Sequence, residues 1–173
     1  NLEFDFTVRF VFFAGEEIGL FGSKHAAEAS RAAGEDIIGV LNTDMIGYEV
    51  DGSPDLHVVA DARSEWMLDA VWAVARLTDT SLHVFPELNS DFVFSDHASY
   101  WASGYSALLF TEESDFESPE FAEGYHTVDD LPQQVNADYA AESARLVIAS
   151  AAVIARPLLP GVPSVLPVTE QIR

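Results

Sequence analysis

Glu16 and Glu17 stand side by side at the end of the run Phe10-Val11-Phe12-Phe13-Ala14-Gly15. The run is short, aromatic and β-branched, which predicts a strand buried on both faces, as in a parallel sheet covered by helices. In open α/β sheets, ligand-binding and catalytic groups collect at the carboxyl ends of strands. Neighbouring side chains on an extended backbone point to opposite sides. One carboxylate could therefore hold a metal ion while the other faces a water or a substrate. The same pair could equally be the acidic first turn of a helix, favoured there by the helix dipole.

Three further polar groups end predicted strands or occupy loops that could reach the same sheet edge: Asp44, the triplet Ser95-Asp96-His97, and Tyr125-His126. Zinc takes imidazole and carboxylate ligands in low coordination number, and catalytic zinc sites leave a position open for water. Glu17, Asp44 and His126 supply those ligand types, which leaves Glu16 free to deprotonate a water whose acidity the metal raises. Taken singly, Asp44 could be a turn cap and His126 an ordinary loop histidine. Ser95-Asp96-His97 has the residue types of a serine triad, but contiguous side chains cannot adopt the relay geometry. The chain contains no G-x-S-x-G elbow, no H-E-x-x-H helix and no phosphate-cradling glycine loop. His25, His57 and His83 read as structural or surface residues, and Tyr100, Phe116 and Phe121 could line a pocket or simply pack.

The elements that must position these groups alternate between strand and helix. After Glu17, Leu20 to Ala33 has helical spacing and Gly34 stops it. Asp36 to Met45 predicts a second buried strand with Asn42-Thr43-Asp44 at its tip, so that the first three elements form a right-handed β-α-β unit. Strands follow at Leu56–Ala60, at Leu82–Phe85 (closed by Pro86) and at Ser106–Phe110. Helices are expected over Ser64–Leu77, with Ser64 as N-cap, around His97–Ala102, and from Asp138 to about Ala155. An acidic loop covers Glu112–Glu123. This order predicts an α/β fold, a three-layer α/β/α sandwich around a mostly parallel mixed sheet. Residues 1–156 read as part of one catalytic domain, and residues 157–173, with four of the eight prolines, as an extended tail or linker.

The 173 residues suffice for one domain with a true core. The formal charge is −21, from 29 acidic residues against 8 basic ones. Such a surface repels phosphate backbones and anionic lipid headgroups, which argues against nucleic acid and membranes as partners. It attracts cations, whether metal ions or the protonated amino end of a peptide. There is no cysteine, hence no thiolate ligand and no disulfide framework. The apolar run Leu146–Ala155 is shorter than the roughly 20 residues needed to cross a bilayer.

FVFFAGEEIGLFGS, LNTDMIGY, SDHASYWASGYSALLFTE and YHTVDDLP, in this order and at these spacings, resemble the co-catalytic dizinc aminopeptidases of the bacterial leucyl aminopeptidase type. That zinc exopeptidase family also includes glutamate carboxypeptidases and glutaminyl cyclases, and the resemblance spans about residues 6 to 155. It implies Glu16 as general base and acid, and Glu17 and His126 as ligands of one zinc. It further implies Asp44 as ligand of a second zinc, Tyr125 as the group polarising the scissile carbonyl, and Asp96 in a supporting position. The implied substrate is a peptide with a free N-terminus, and relatives of this kind are often secreted or periplasmic. Family members carry a histidine and a metal-bridging aspartate upstream of the Glu-Glu strand, and the chain begins after that point. The expectation is therefore a C-terminal portion of the catalytic domain, with the remaining ligands and some strands on an N-terminal segment of the same protein. Two other readings stay open: a mono-zinc glutaminyl cyclase-like acyltransferase, and an inactive interaction module on the same scaffold.

Overall fold

The computed structural model describes residues 3–49, 52–119 and 121–158. Its elements are β1 (Glu3–Phe4), α1 (Phe21–Ala33), β2 (Val40–Thr43), β3 (Asp55–Ala60), α2 (Glu65–Thr78), β4 (His83–Leu88), α3 (His97–Ala102), β5 (Ala107–Thr111), α4 (Ala137–Ile154) and β6 (Pro157–Leu158). Four strands form the central sheet in the order β2-β5-β3-β4. The pairs β2/β5 and β3/β4 are parallel and the middle pair β3/β5 is antiparallel. The carboxyl ends of β2 and β5 thus share one rim with the amino ends of β3 and β4.

Alternation along the strands builds two cores. Leu56, Val58 and Ala60 of β3 and Leu108 and Phe110 of β5 face α2 and α4, where Met67, Leu68, Val71, Tyr139 and Leu146 close over them. Val59 and Leu109 point the other way, onto Phe92 and Trp101. On that side Ala27 of α1 and Tyr100 of α3 pack with Tyr105 and Ala107. Helices therefore cover both faces, and the fold is the expected three-layer α/β/α sandwich.

Two strand expectations fail, for identifiable reasons. Phe10–Phe13 is not a strand: Phe10 is 80% and Phe12 98% exposed, and no described backbone pairs with it. A strand exists only where a neighbour supplies ladder hydrogen bonds, and among the described residues β2 is bonded on one side only, to β5. The segment is instead tethered at points. Arg9 grips Glu35 with both terminal guanidinium nitrogens, at 3.0 and 3.2 Å, and the Phe13 ring lies 6.1 Å from that of Tyr100. The predicted β-α-β unit consequently lacks its first strand. Pro86 does not close its strand either; it sits inside β4 opposite Val58. Proline lacks a ladder donor, but β4 lies at the sheet's edge, where proline is tolerated. Ser64 precedes α2 as predicted, yet its hydroxyl does not cap the helix. It is fully buried and accepts the Ala107 N–H at 2.9 Å, tying α2 to β5. Pro157–Leu158 pairs antiparallel with Glu3–Phe4, while the rest of the predicted tail, 159–173, lies outside the described residues.

Candidate active site

Glu16 and Glu17 sit in a tight double turn that feeds α1. The Glu16 carbonyl accepts the Gly19 and Leu20 N–H groups at 3.0 and 2.8 Å, and Phe21 and Gly22 donate back to Gly15 and Ala14 at 3.1 and 2.9 Å. Gly22 is required by contact: a Cβ there would lie 2.6 Å from the Ala14 carbonyl oxygen and 2.8 Å from its nitrogen. The turn is locked onto the start of α1, and the carboxylates with it.

Asp44 follows β2 and prolongs its ladder, donating its N–H to the Phe110 carbonyl at 3.1 Å. Met45 then turns through the left-handed region at φ +55°. This costly turn for a side chain with a Cβ is held from beyond β5. The Glu112 N–H donates to the Met45 carbonyl at 2.7 Å, and its buried carboxylate accepts from the Gly47 and Tyr48 N–H groups at 2.8 and 2.7 Å. The Asp44 carboxylate itself accepts from the Ser95 hydroxyl at 2.6 Å, and Ser95 in turn accepts from the Asn42 amide at 2.7 Å.

Tyr125 and His126 ride on the loop between β5 and α4. Gly124, at φ +87°, bends it so closely that a Cβ would meet the Asp129 carbonyl at 2.9 Å. Thr127 returns both its N–H and its hydroxyl to the Gly124 carbonyl, at 2.9 and 2.7 Å, and His126 is left-handed at φ +59°. The Tyr125 ring stacks on the His126 imidazole with centroids 3.8 Å apart. On its other side it meets Phe121 edge-on at 4.9 Å and Phe116 at 6.5 Å. Of the three aromatics left open by sequence, Phe116 and Phe121 thus flank the site, whereas Tyr100 is buried between α3 and α1.

The separate segments converge. The His126 Nε2 and a Glu17 carboxylate oxygen are 2.8 Å apart. Burial, then the charges of Asp44, Glu17 and Asp96, push the Glu16 carboxyl up to about 7, against a smaller opposing pull from His126. Burial, then Glu17, Asp44 and Glu16, raise the Tyr125 phenol. Burial raises the Asp96 carboxyl, with Ser23 opposing by a hydrogen bond and Asp44 adding to the rise. Glu16 thus lies within electrostatic reach of Glu17, Asp44, Asp96 and His126, and Tyr125 within reach of Glu16, Glu17 and Asp44.

The donor chemistry suits zinc. On a tetrahedral zinc, oxygen and nitrogen donors each about 2.0–2.2 Å from the metal stand roughly 3.3 Å apart, a small adjustment from the Glu17–His126 contact. One buried Asp96 oxygen has no hydrogen-bond partner among the described residues, as expected beside a cationic centre. The donor number is short: among the described residues no group of three or more histidine and carboxylate side chains is arranged to hold a metal ion.

Residues 1–151 match the model of peptidase family M28. The chain belongs to that family. The chain is 30% identical, over 147 residues, to leucine aminopeptidase 1 of Trichophyton equinum, covering 82% of this chain and 38% of the relative. The M28 chain thus spans well under half the length of that curated relative. Among solved structures it superposes on the zinc aminopeptidase BSAP of Bacillus subtilis with a TM-score of 0.72 at 21% identity, over 94% of this chain and 39% of the other. It also superposes on an Acidobacteriales glutaminyl cyclase with a TM-score of 0.59 at 25% identity, over 79% and 46%. Sequence reasoning about the M28 site missed two residues. Ser95 reads from sequence as a triad-type nucleophile, although a serine one residue before Asp96 also suits a hydroxyl donor to a carboxylate. Glu112 reads from composition as the start of an acidic loop, although a charge directly abutting the apolar run Ala107–Phe110 and Thr111 signals a buried, partnered carboxylate.

Proposed function

We propose that the protein to which this chain contributes is a zinc-dependent aminopeptidase that releases the N-terminal residue of peptides. The observation that supports this most is the convergence of Glu16 and Glu17 from the turn before α1, Asp44 from beyond β2 and His126 from the β5–α4 loop. In this reading Glu17 and His126 hold one zinc and Asp44 a second, and donors from outside these residues complete both sites. The open edge of β2 and the exposed rings of Phe10 and Phe12 support a further segment lying there. Bound zinc supplies Lewis acidity toward a water and toward the scissile carbonyl.

The chain's own residues carry the rest. Glu16 takes the proton of the attacking water as its oxygen bonds to the carbonyl carbon. It then hands that proton to the departing amine as the C–N bond breaks, so water is split between the released amino acid and the shortened peptide. Tyr125 donates its hydroxyl toward the oxygen on which charge develops. Ser95 holds Asp44 in orientation through its 2.6 Å bond. The substrate's free α-ammonium group is met by the surplus of carboxylates, Asp96 among them.

The decisive experiment uses the complete enzyme with Glu16→Gln. Metal content should be unchanged by elemental analysis, while release of N-terminal leucine falls by about 10²–10⁴-fold. Surviving turnover would remove Glu16 from its role. The likeness to a glutaminyl cyclase favours one second reading, cyclisation of N-terminal glutamine by a mono-zinc site. Parallel assays on peptides with N-terminal leucine and N-terminal glutamine separate the two, because one yields free amino acid and the other a cyclised peptide with loss of ammonia.

A further inference from the structure

Away from the Glu16–His126 cluster, the described residues hold a second knot of ionisable groups, built around His57. His57 lies in β3, and its ring stacks on Phe85 of the edge strand β4 at 5.1 Å. Its Nδ1 contacts the Glu87 carboxylate and stands 3.1 Å from the Ser114 hydroxyl, which itself donates to Glu87 at 2.8 Å. Its Nε2 faces the Glu113 carboxylate at 3.7 Å. Glu113 also organises the loop it begins, accepting the Ser114 and Asp115 N–H groups at 2.7 and 2.9 Å. The charged groups around His57 are therefore Asp55 on its own strand, Glu87 on β4 and Glu113 on the loop. All are acidic.

That loop leads to the candidate active site. Phe116, two residues past Ser114, stacks flat on buried Phe92 at 5.7 Å and touches Phe94 at 5.1 Å and Phe121 at 5.1 Å. Phe121 in turn carries Tyr125. A line of rings thus runs from the sheet to the Tyr125–His126 stack, and its middle member sits on a loop with two anchors: the Phe92 ring and the His57 knot.

We propose that His57 is a positioning residue: by bridging Glu87 of the sheet edge to Glu113 and Ser114, it fastens the 113–116 loop and so sets Phe116 in the aromatic wall beside Tyr125. The functional half rests on the aminopeptidase reading, in which this wall receives an apolar N-terminal side chain of the substrate. Burial alone would lower the His57 pKa, but Glu87 by hydrogen bond and charge, then Glu113 and Asp55, hold it above the ordinary histidine value. Glu87 is held below its ordinary value despite its burial, by the bonds from His57 and Ser114. The knot is therefore complete between the lowered Glu87 value and the raised His57 one. It loosens when alkaline pH removes the imidazolium proton or acid neutralises Glu87.

Two measurements test this. The first is amide hydrogen exchange at Ser114, Asp115 and Phe116 in the protein itself, compared with His57→Phe, which keeps the ring stack on Phe85 and removes the polar contacts. Protection should fall about tenfold in the variant, the loss of one charge-assisted hydrogen bond. It should also fall in the wild type between about pH 6 and about pH 9, a dependence the variant lacks. Equal protection in both proteins at both pH values would overturn the proposal. Should His57→Phe not fold, Ser114→Ala makes the same comparison from the loop side. The second measurement is steady-state kinetics of the complete enzyme on a peptide with N-terminal leucine. His57→Phe should raise KM about tenfold with kcat within about twofold, and an unchanged KM beside a loosened loop would overturn the positioning role. If the wild-type enzyme releases no N-terminal residue, the aminopeptidase reading falls, while the exchange measurement still judges the knot.

Discussion

Replacing Glu112 separates the strap that holds the Asp44 turn from everything else in the site. One oxygen of this buried carboxylate accepts both the Gly47 and Tyr48 N–H groups, at 2.8 and 2.7 Å. In Glu112→Ala both amides lose their acceptor, each at a cost of about 1–3 kcal/mol if no water replaces it. Against this, the variant no longer has to desolvate a carboxylate, so the expected net loss is about 2 kcal/mol, or roughly 4–8 °C in Tm for a chain of this size. Glu112→Gln keeps an oxygen in place for both amides, and should cost less than about 1 kcal/mol. The pH dependence has a definite sign. Burial raises the Glu112 carboxyl, partly opposed by the Tyr48 and Gly47 bonds and reinforced by Asp44 and Asp130. The fold thus favours the protonated form, so its contribution to stability is full below the unfolded pKa and is lost as pH rises through the folded one. Glu112→Gln removes that decline, and its stability relative to wild type should improve from about pH 4 to about pH 8. Urea unfolding followed by tryptophan fluorescence measures all three proteins. An alanine variant within about 0.5 kcal/mol of wild type, or a glutamine variant as damaged as the alanine one, would refute the strap.

Two shorter tests bear on the neighbouring segments. Gly22→Ala places its methyl 2.6 Å from the Ala14 carbonyl oxygen; although alanine favours a helix by about 1 kcal/mol, the variant should lose about 1–3 kcal/mol, and a gain in thermal stability would contradict the close approach. Zinc titration of this 173-residue chain by calorimetry should show no stoichiometric tight step, since Glu17 and His126 offer one ion only two donors; two tightly bound ions per chain would refute the need for outside ligands.

Much of this arrangement could be read from residue order because local signals and tertiary packing agree. The helix at His97–Ala102 matches its predicted bounds, Gly34 ends α1 in the left-handed region, and Leu56–Ala60 forms the buried centre of the sheet. Glu17 and His126, 109 positions apart in number, are paired by the family resemblance and meet at 2.8 Å. What escaped depends on neighbours that composition does not name. Phe10–Phe13 has every local property of a strand, but a strand also needs a partner backbone, and none of the described residues offers one. Pro86 reads as a terminator unless its strand is known to lie at an edge. Glu112 and His57 look like surface charges until the sheet brings Gly47 to one and Glu87 to the other.

The reversal of strand direction between β5 and β3 has a practical corollary. Ala60 and Leu88 finish their strands at the rim where β2 and β5 begin, and a bend with Ala62 and Arg63 exposed lies there, remote from Asp44 and Glu112. A label or affinity handle spliced into that bend would report on or capture the protein without obstructing the rim that carries Asp44 and Glu112.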